Sequence, residues 1–218
     1  MAHVTRQFTD LDVDAVRANL ERVRERIAAA GRDPGDVELL AAVKYVPLDQ
    51  LPKLAEAGIE LVGENRAQEL TVKHAAHGDL FAGWDFIGAL QSRKVKEIAP
   101  IARLVHSVAS ESVLAQLERH PAREVLIQVN VAGEEGKAGV APGELAAFIE
   151  ACPTPIGGLM TMPPFVERAE DNRRHFAWLA ELAAEHGLTR LSMGTSQDYE
   201  VAVQEGATIV RLGSTLYS

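Results

Sequence analysis

A chain of 218 residues that is 47% hydrophobic and 24% charged carries enough apolar material for a sizeable core and is too apolar for disorder. A formal net charge of −9, from 22 basic and 31 acidic residues, argues against a protein built to hold nucleic acid or to coat an acidic membrane surface, and favours a small-molecule ligand. The single cysteine, Cys152, excludes an intramolecular disulfide; MAHVTRQFTDLDVD lacks the apolar core of a signal peptide, and charges interrupt every apolar run, so a cytoplasmic protein with no membrane anchor is expected.

The first predicted element is a helix over DLDVDAVRANLERVRERIAAAG, residues 10–31. Apolar runs and helical stretches then alternate to the end of the chain. The runs read as strands: ELLAAVKY (38–45), ELVGEN (60–65), WDFIGA (84–89), RLVHSV (103–108), EVLIQVNV (124–131), PIGGLMTM (155–162), RLSMG (190–194) and TIVRLG (208–213). Between them LDQLPKLAEAG, RAQELTVKHAAH, QSRKVKEIAPI, SESVLAQLERH, PGELAAFIEAC, ERAEDNRRHFAWLAELAAEHG and SQDYEVAVQEGA read as helices, several closed by Gly. Strands buried on both faces and joined by helical crossovers pair in parallel, and eight such units make a closed (β/α)8 barrel of the TIM type; a doubly wound open sheet is the other solution. No linker or low-complexity tract divides residues 1–218, which read as a single domain. Only STLYS follows the last strand, so the long N-terminal helix either completes the outer ring or caps the barrel.

A barrel of this kind binds its ligand at the C-terminal ends of its strands. Lys44, Asn65, His106, Asn130, Met160, Ser192 and Arg211 fall there; taken singly, each reads as a rim hydrogen bond or salt bridge. The loops after strands seven and eight carry Gly194-Thr195-Ser196 and Gly213-Ser214-Thr215, the first leading into a helix whose opening turn holds Asp198. Free backbone N–H groups, hydroxyls and a helix N-terminus suit a phosphate, in the place where such barrels commonly hold one. The plainer reading has Ser196 capping the helix and Gly213 turning the chain.

A phosphate anchor facing a lysine across the mouth suits pyridoxal 5′-phosphate (PLP), whose aldehyde forms an imine with a lysine amine. Lys44, preceded by Leu-Leu-Ala-Ala-Val, is expected in an apolar, partly desolvated position that lowers its pKa and leaves a nucleophilic amine. Arg211 is placed to face the pyridine nitrogen, and a permanently protonated arginine there keeps that nitrogen unprotonated and the ring a poor electron sink. A rim salt bridge to Glu64 or Asp198 is the plainer role for Arg211.

At these residues the chain resembles a known family. AVKYVP around Lys44, GENRAQE at 63–69, WDFIGALQSRKVKEI at 84–98, VNVAGEEGKAGV at 129–140, GLMTM at 158–162 and LSMGTSQDYEVAVQEGATIVRLGS at 191–214 are similar to the YggS/PROSC family of PLP homeostasis proteins, over nearly the whole chain. The resemblance implies a single barrel with the fold of the alanine racemase N-terminal domain (PLP fold type III), with the cofactor bound as an imine to Lys44. It implies Asn65 beside the pyridine ring, Ser196, Gly213 and Ser214 on the phosphate, and Arg211 at the ring nitrogen. Met160, Ser192, Gly194 and Thr195 complete the expected cofactor-binding set. A carrier or regulator of the intracellular PLP pool without robust catalysis is implied; transient contact with PLP-dependent apo-enzymes is expected, and a mouth with no partner-supplied site permits a monomer. The chain departs from the family pattern at Asp85, where a His follows the tryptophan, at Ala89 after Phe-Ile-Gly, and at Thr195 within Met-Gly-Met-Ser.

Two other functions stand beside this one. An amino-acid racemase needs a second acid/base on the opposite face of the imine, and none of Tyr45, Tyr199 and Tyr217 is evidently aimed there. A sugar-phosphate barrel would use Lys44 on its substrate instead. The remaining features read plainly: SRKVK at 92–96 as a solvated helix face, Lys137 as part of a solvent-facing loop, Trp84 and Trp178 as packing residues, and Cys152 as a small buried hydrophobe. His3, His74, His77, His120 and His186 form no metal-ligand grouping, and no metal is expected.

Overall fold

A computed structural model describes residues 7–218; Met1–Arg6, including His3, lie outside the described residues. Eight strands, β1 (Glu38–Ala42), β2 (Leu61–Glu64), β3 (Gly83–Phe86), β4 (Leu104–Val108), β5 (Val125–Gln128), β6 (Ile156–Met160), β7 (Arg190–Thr195) and β8 (Ile209–Leu212), pair in parallel in chain order. The pairing of β1 with β8 closes the ring, so the open sheet is excluded. Every expected strand is present, though most are shorter than the apolar run that marks them. The first ends at Ala42 because Val43–Val46 form a turn, with the Val46 N–H donating to the Val43 carbonyl at 3.0 Å, and Pro47 follows, which has no N–H for a ladder.

The helices are α1 (Val13–Ala29), α2 (Leu51–Glu56), α3 (Ala67–His77), α4 (Val95–Ile98), α5 (Glu111–Leu117), α6 (Leu145–Ala151), α7 (Arg173–Glu185), α8 (Tyr199–Gln204) and α9 (Ser214–Tyr217). Asp12 caps α1 by accepting from the Ala15 N–H at 2.9 Å, and Val16, Leu20, Val23 and Ile27 form its buried stripe, each contributing about 1.5–3 kcal/mol of burial. That stripe packs against α2, α8 and α9, which settles the question left by the short C-terminal segment. STLYS folds into a single helical turn, too small to cover β8 and β1, and α1 fills the ring there.

Inside the barrel Leu40, Leu104, Leu126, Met160 and Ile209 form an apolar layer, with Leu61 and Ile87 packed against it. At the opposite end from the mouth, charges of alternating sign are laced together: Arg103 pairs with Asp85 and Glu38, and Arg190 pairs with Glu38 and Glu124. Glycines make room for this floor. A Cβ on Gly83 would lie 2.6 Å from Arg103 Cδ, and one on Gly157 would meet the Glu124 carboxylate at 2.4 Å.

One ion pair is fully enclosed. Lys73 of α3 donates to Glu64 Oε1 at 2.6 Å and to the Val43 carbonyl at 2.7 Å, while Glu64 Oε2 accepts from the Asn65 N–H at 2.7 Å. Removing one partner strands a buried charge. Lys73→Met is therefore expected to lower the unfolding free energy, measured in urea, by about 3–5 kcal/mol; a loss within the range of an ordinary surface substitution would mean that water reaches Glu64.

Candidate functional site

Alternation along the strands decides what reaches the mouth, because successive inner side chains are two residues apart. After Leu40 the inner series runs through Ala42 to Lys44, after Leu61 through Gly63 to Asn65, after Leu126 through Gln128 to Asn130, and after Ile209 to Arg211. Lys44 is exposed, in the turn beyond β1, with Nζ 5.0 Å from the centroid of the Tyr45 ring. The expectation of a partly desolvated lysine is corrected: the apolar run builds β1, but the strand ends two residues earlier and the turn lifts the side chain into water. The backbone around it is held firmly. The Ala42 carbonyl accepts from the Tyr217 hydroxyl at 3.3 Å, the Val43 carbonyl from Lys73, and the Tyr45 carbonyl from the Phe8 N–H at 3.0 Å.

Asn65 is half-buried, and its carbonyl lies so close to β3 that a Cβ on Gly88 would sit 2.0 Å from it. Only glycine lets the ends of β2 and β3 meet in this way. Arg211 is 5% exposed and gives its guanidinium donors to Ser192 Oγ, the Thr161 carbonyl (2.8 Å) and Met162 Sδ. Among the described residues neither Glu64 nor Asp198 forms an ion pair with it, so the rim salt bridge is absent. Desolvation pushes its pKa down to about 10, with Asp198 acting in the other direction.

The two Gly/Ser/Thr loops lie side by side. Gly194 has φ +89°, and a Cβ there would stand 2.7 Å from that of Ala202, so both backbone conformation and space require glycine. Ser196 does not cap α8, which begins three residues later with Asp198 as its N-cap residue. Instead Ser196 Oγ accepts from the backbone N–H groups of Gly213 (3.1 Å) and Thr215 (3.3 Å), which converge on one oxygen. Ser214 is exposed beside them. The Thr195 hydroxyl is engaged with Asp198 Oδ1 at 3.1 Å, a bond that shapes the loop and leaves no free donor proton; Asn172 donates to Asp198 Oδ2 at 2.9 Å. Met160 and Ser192 are both buried, the first in the inner layer and the second beneath Arg211.

What the sequence reading missed is the connection under Arg211. Ser192 Oγ is 2.8 Å from His106 Nδ1, and His106 Nε2 is 3.0 Å from Asp85 Oδ2, all fully enclosed. Asp85 stands out in the sequence only as a departure from the family pattern; its inner position two residues before Ile87, in register with Leu104 and so diagonal to His106, is the signal that points inward. Burial alone would raise the Asp85 pKa, but hydrogen bonds from His106 and Arg103 outweigh it and hold the carboxyl below its usual range. Burial depresses the His106 pKa and keeps the imidazole neutral, although Asp85 opposes this. Trp84 is buried in edge-to-face contact with Phe81, whereas Trp178 is 42% exposed and is not a core residue. Burial raises the thiol pKa of half-buried Cys152, consistent with a packing role. Among the described residues no group of metal-ligating side chains forms, and no helix is long and apolar enough to cross a membrane.

A histidine whose folded pKa lies below its unfolded value of about 6.5 adds stability above that value, and the contribution is lost as pH falls. Asp85 acts in the same direction at lower pH, from its unfolded value of about 3.9 downward. Urea unfolding is expected to show a loss of stability between about pH 7 and about pH 5. In His106→Gln the slope should become shallower without vanishing, because burial also depresses His175. An unchanged slope would mean that His106 does not titrate on unfolding as its burial requires.

Residues 11–218 match the family described as alanine racemase, N-terminal domain. The pyridoxal phosphate homeostasis protein of Pseudomonas aeruginosa is 43% identical over 208 residues, covering 90% of each chain, and that of Aquifex aeolicus is 39% identical over 213 residues, covering 91% of this chain and 93% of its own. Among solved structures, PipY of Synechococcus elongatus PCC7942 with PLP bound superposes at TM-score 0.80 with 30% identity, covering 93% of this chain and all of PipY. Alanine racemase from Corynebacterium glutamicum, at 18% identity and TM-score 0.70 over 95% of this chain and 62% of its own, shares the fold. The family match and these relatives establish that the chain belongs to the alanine racemase N-terminal domain family, and within it to the pyridoxal phosphate homeostasis proteins.

Proposed function

We propose that this protein binds PLP at the C-terminal mouth of its barrel, as an imine to Lys44, and serves homeostasis of that cofactor as a carrier or regulator without robust catalysis. The observation that carries the reading is the pairing of two unlike elements at the end of β8, beside the loop that follows β7. One is Arg211, a buried cation with no carboxylate partner among the described residues; the other is the pair of Gly213 and Thr215 amides converging on one point. A cation suits a heteroaromatic nitrogen and converging amides suit a phosphate, and PLP carries both. The names of the Pseudomonas and Aquifex relatives and the PLP bound to PipY support the same reading.

PLP linked to a lysine supplies an electrophilic imine and an electron-withdrawing ring. On this reading Lys44 provides the amine, Asn65 borders the ring, and Ser196, Gly213 and Ser214 hold the phosphate. Arg211 donates to the ring nitrogen, which keeps that nitrogen unprotonated and restrains carbanion chemistry. Met160, Ser192, Gly194 and Thr195 shape the mouth: Met160 and Ser192 from beneath, Gly194 through its turn and Thr195 through Asp198. Residues 1–218 act as one cofactor-binding domain, working as a cytoplasmic monomer that meets PLP-dependent apo-enzymes transiently. The racemase reading draws little support from the tyrosines. The Tyr217 hydroxyl donates to the Ala42 carbonyl and burial raises its pKa, while Tyr199 is packed in α8.

An absorption spectrum of the purified protein, taken before and after borohydride reduction and followed by peptide mass mapping, tests the reading. A visible band that vanishes on reduction and leaves a pyridoxyl mass on Lys44 is expected, and Lys44→Ala should carry no such mass. A colourless protein that takes up no added PLP would hand the site to a phosphorylated sugar. Ser196→Ala combined with Ser214→Ala is expected to weaken PLP retention by roughly ten-fold or more while the fold survives, since both residues lie outside the core; unchanged retention would remove the phosphate assignment.

A further inference from the structure

Four polar side chains from four strands cross the barrel in a single line: Asp85 of β3, His106 of β4, Ser192 of β7 and Arg211 of β8. The chemistry of its two ends gives this line a direction. Arg211 has only donors, so Ser192 Oγ must accept from it. At the other end Asp85 is an ionised carboxylate that already accepts from Arg103 through both oxygens, at 2.9 and 2.7 Å, so His106 Nε2 must donate to it. A neutral imidazole protonated on Nε2 leaves Nδ1 as an acceptor, and the Ser192 hydroxyl proton goes there. Every donor then finds an acceptor in one arrangement: Arg211 to Ser192, Ser192 to His106, His106 to Asp85. With the imidazole proton on Nδ1, Ser192 would face two donors and its own proton would have no acceptor in a fully enclosed space.

We propose that Asp85, which lies below the mouth, is a positioning residue for it: by holding the His106 proton on Nε2 it turns Ser192 to receive Arg211, and so fixes the guanidinium that the ring nitrogen of bound PLP meets. The proposal rests on the PLP reading above and extends it to a residue that has no contact with the ligand. It also gives Asp85 its reason for being here, because Arg103 supplies the positive partner that lets a carboxylate sit in the barrel. The charged groups facing His106 are Asp85, Arg103 and Arg211.

Ring-nitrogen NMR of His106 in the ligand-free protein reads the relay without any cofactor. A neutral imidazole protonated on Nε2 is expected, and Asp85→Asn should populate the Nδ1-protonated form, since the amide presents a donor where the carboxylate presented only acceptors. Ser192→Ala should keep the Nε2 form but uncouple it from Arg211. With PLP bound, both variants should shift the visible band and weaken binding roughly ten-fold, and the double variant should change little beyond the larger single effect, because the two residues act in series. If Asp85→Asn fails to fold, the wild-type ring spectrum and the band of Ser192→Ala still decide the matter.

A wild-type imidazole protonated on Nδ1 or on both nitrogens overturns the relay. So does an unshifted band in the variants, or full additivity in the double variant. A wild-type protein that takes up no PLP overturns the cofactor reading and with it the ring-nitrogen half of this proposal, whereas PLP uptake with unaltered variants overturns this proposal alone.

Discussion

Closing eight parallel strands into a ring sends every second side chain of every strand into a narrow interior that is sealed from the side and has to be filled. This chain divides that volume in two. Leu40, Leu104, Leu126, Met160 and Ile209 fill part of it with hydrocarbon, and Asp85, His106, Ser192 and Arg211 fill the rest with a polar line. The division depends on small residues as much as on large ones, for a side chain at Gly83 or Gly157 would displace the charges that close the floor.

The polar line is electrically economical. Followed from the mouth, Arg211 is matched through Ser192 and His106 by Asp85, Asp85 by Arg103, Arg103 by Glu38, Glu38 by Arg190 and Arg190 by Glu124. Formal charges alternate in sign along it and cancel over its length. A buried arginine without an adjacent carboxylate would ordinarily be costly. Here the compensating anion stands three hydrogen bonds down the line, which leaves the guanidinium satisfied by neutral acceptors and not neutralised on the spot. A cation held this way keeps its field at the mouth, where a ligand meets it.

Much of this was legible in the sequence. The alternation of apolar runs with helical periodicity marks eight strand–helix units, and the strand ends bring Lys44, Asn65, Arg211 and the two Gly/Ser/Thr loops to one end of the barrel. Boundaries were less legible because an apolar run records burial and not pairing: Val43 is as buried as Leu40, yet it belongs to a turn. For the same reason Lys44 read as desolvated when it is exposed. Ser196 reads as a helix cap, or as a phosphate ligand, because serine suits both; its two amide donors come from the segment after β8, 17 and 19 residues away, a pairing that local sequence does not record. The relay through His106 and Asp85 was least visible, since its members stand 21 and 86 residues apart and only barrel closure brings them together.

The carbonyls around Lys44 are held by Phe8, Lys73 and Tyr217, the first and last drawn from nearly opposite ends of the described chain. Phe8 and Tyr217 also meet edge to face, with ring centroids 5.0 Å apart, so the two end segments lock over the same strand. A ribosome that has delivered everything through β7 has made the lysine but not the residue that fixes the carbonyl of Ala42. The backbone that carries the lysine is therefore not fully held until β8 and the segment after it are in place, and a chain that stops short of them leaves the Ala42 carbonyl without its donor.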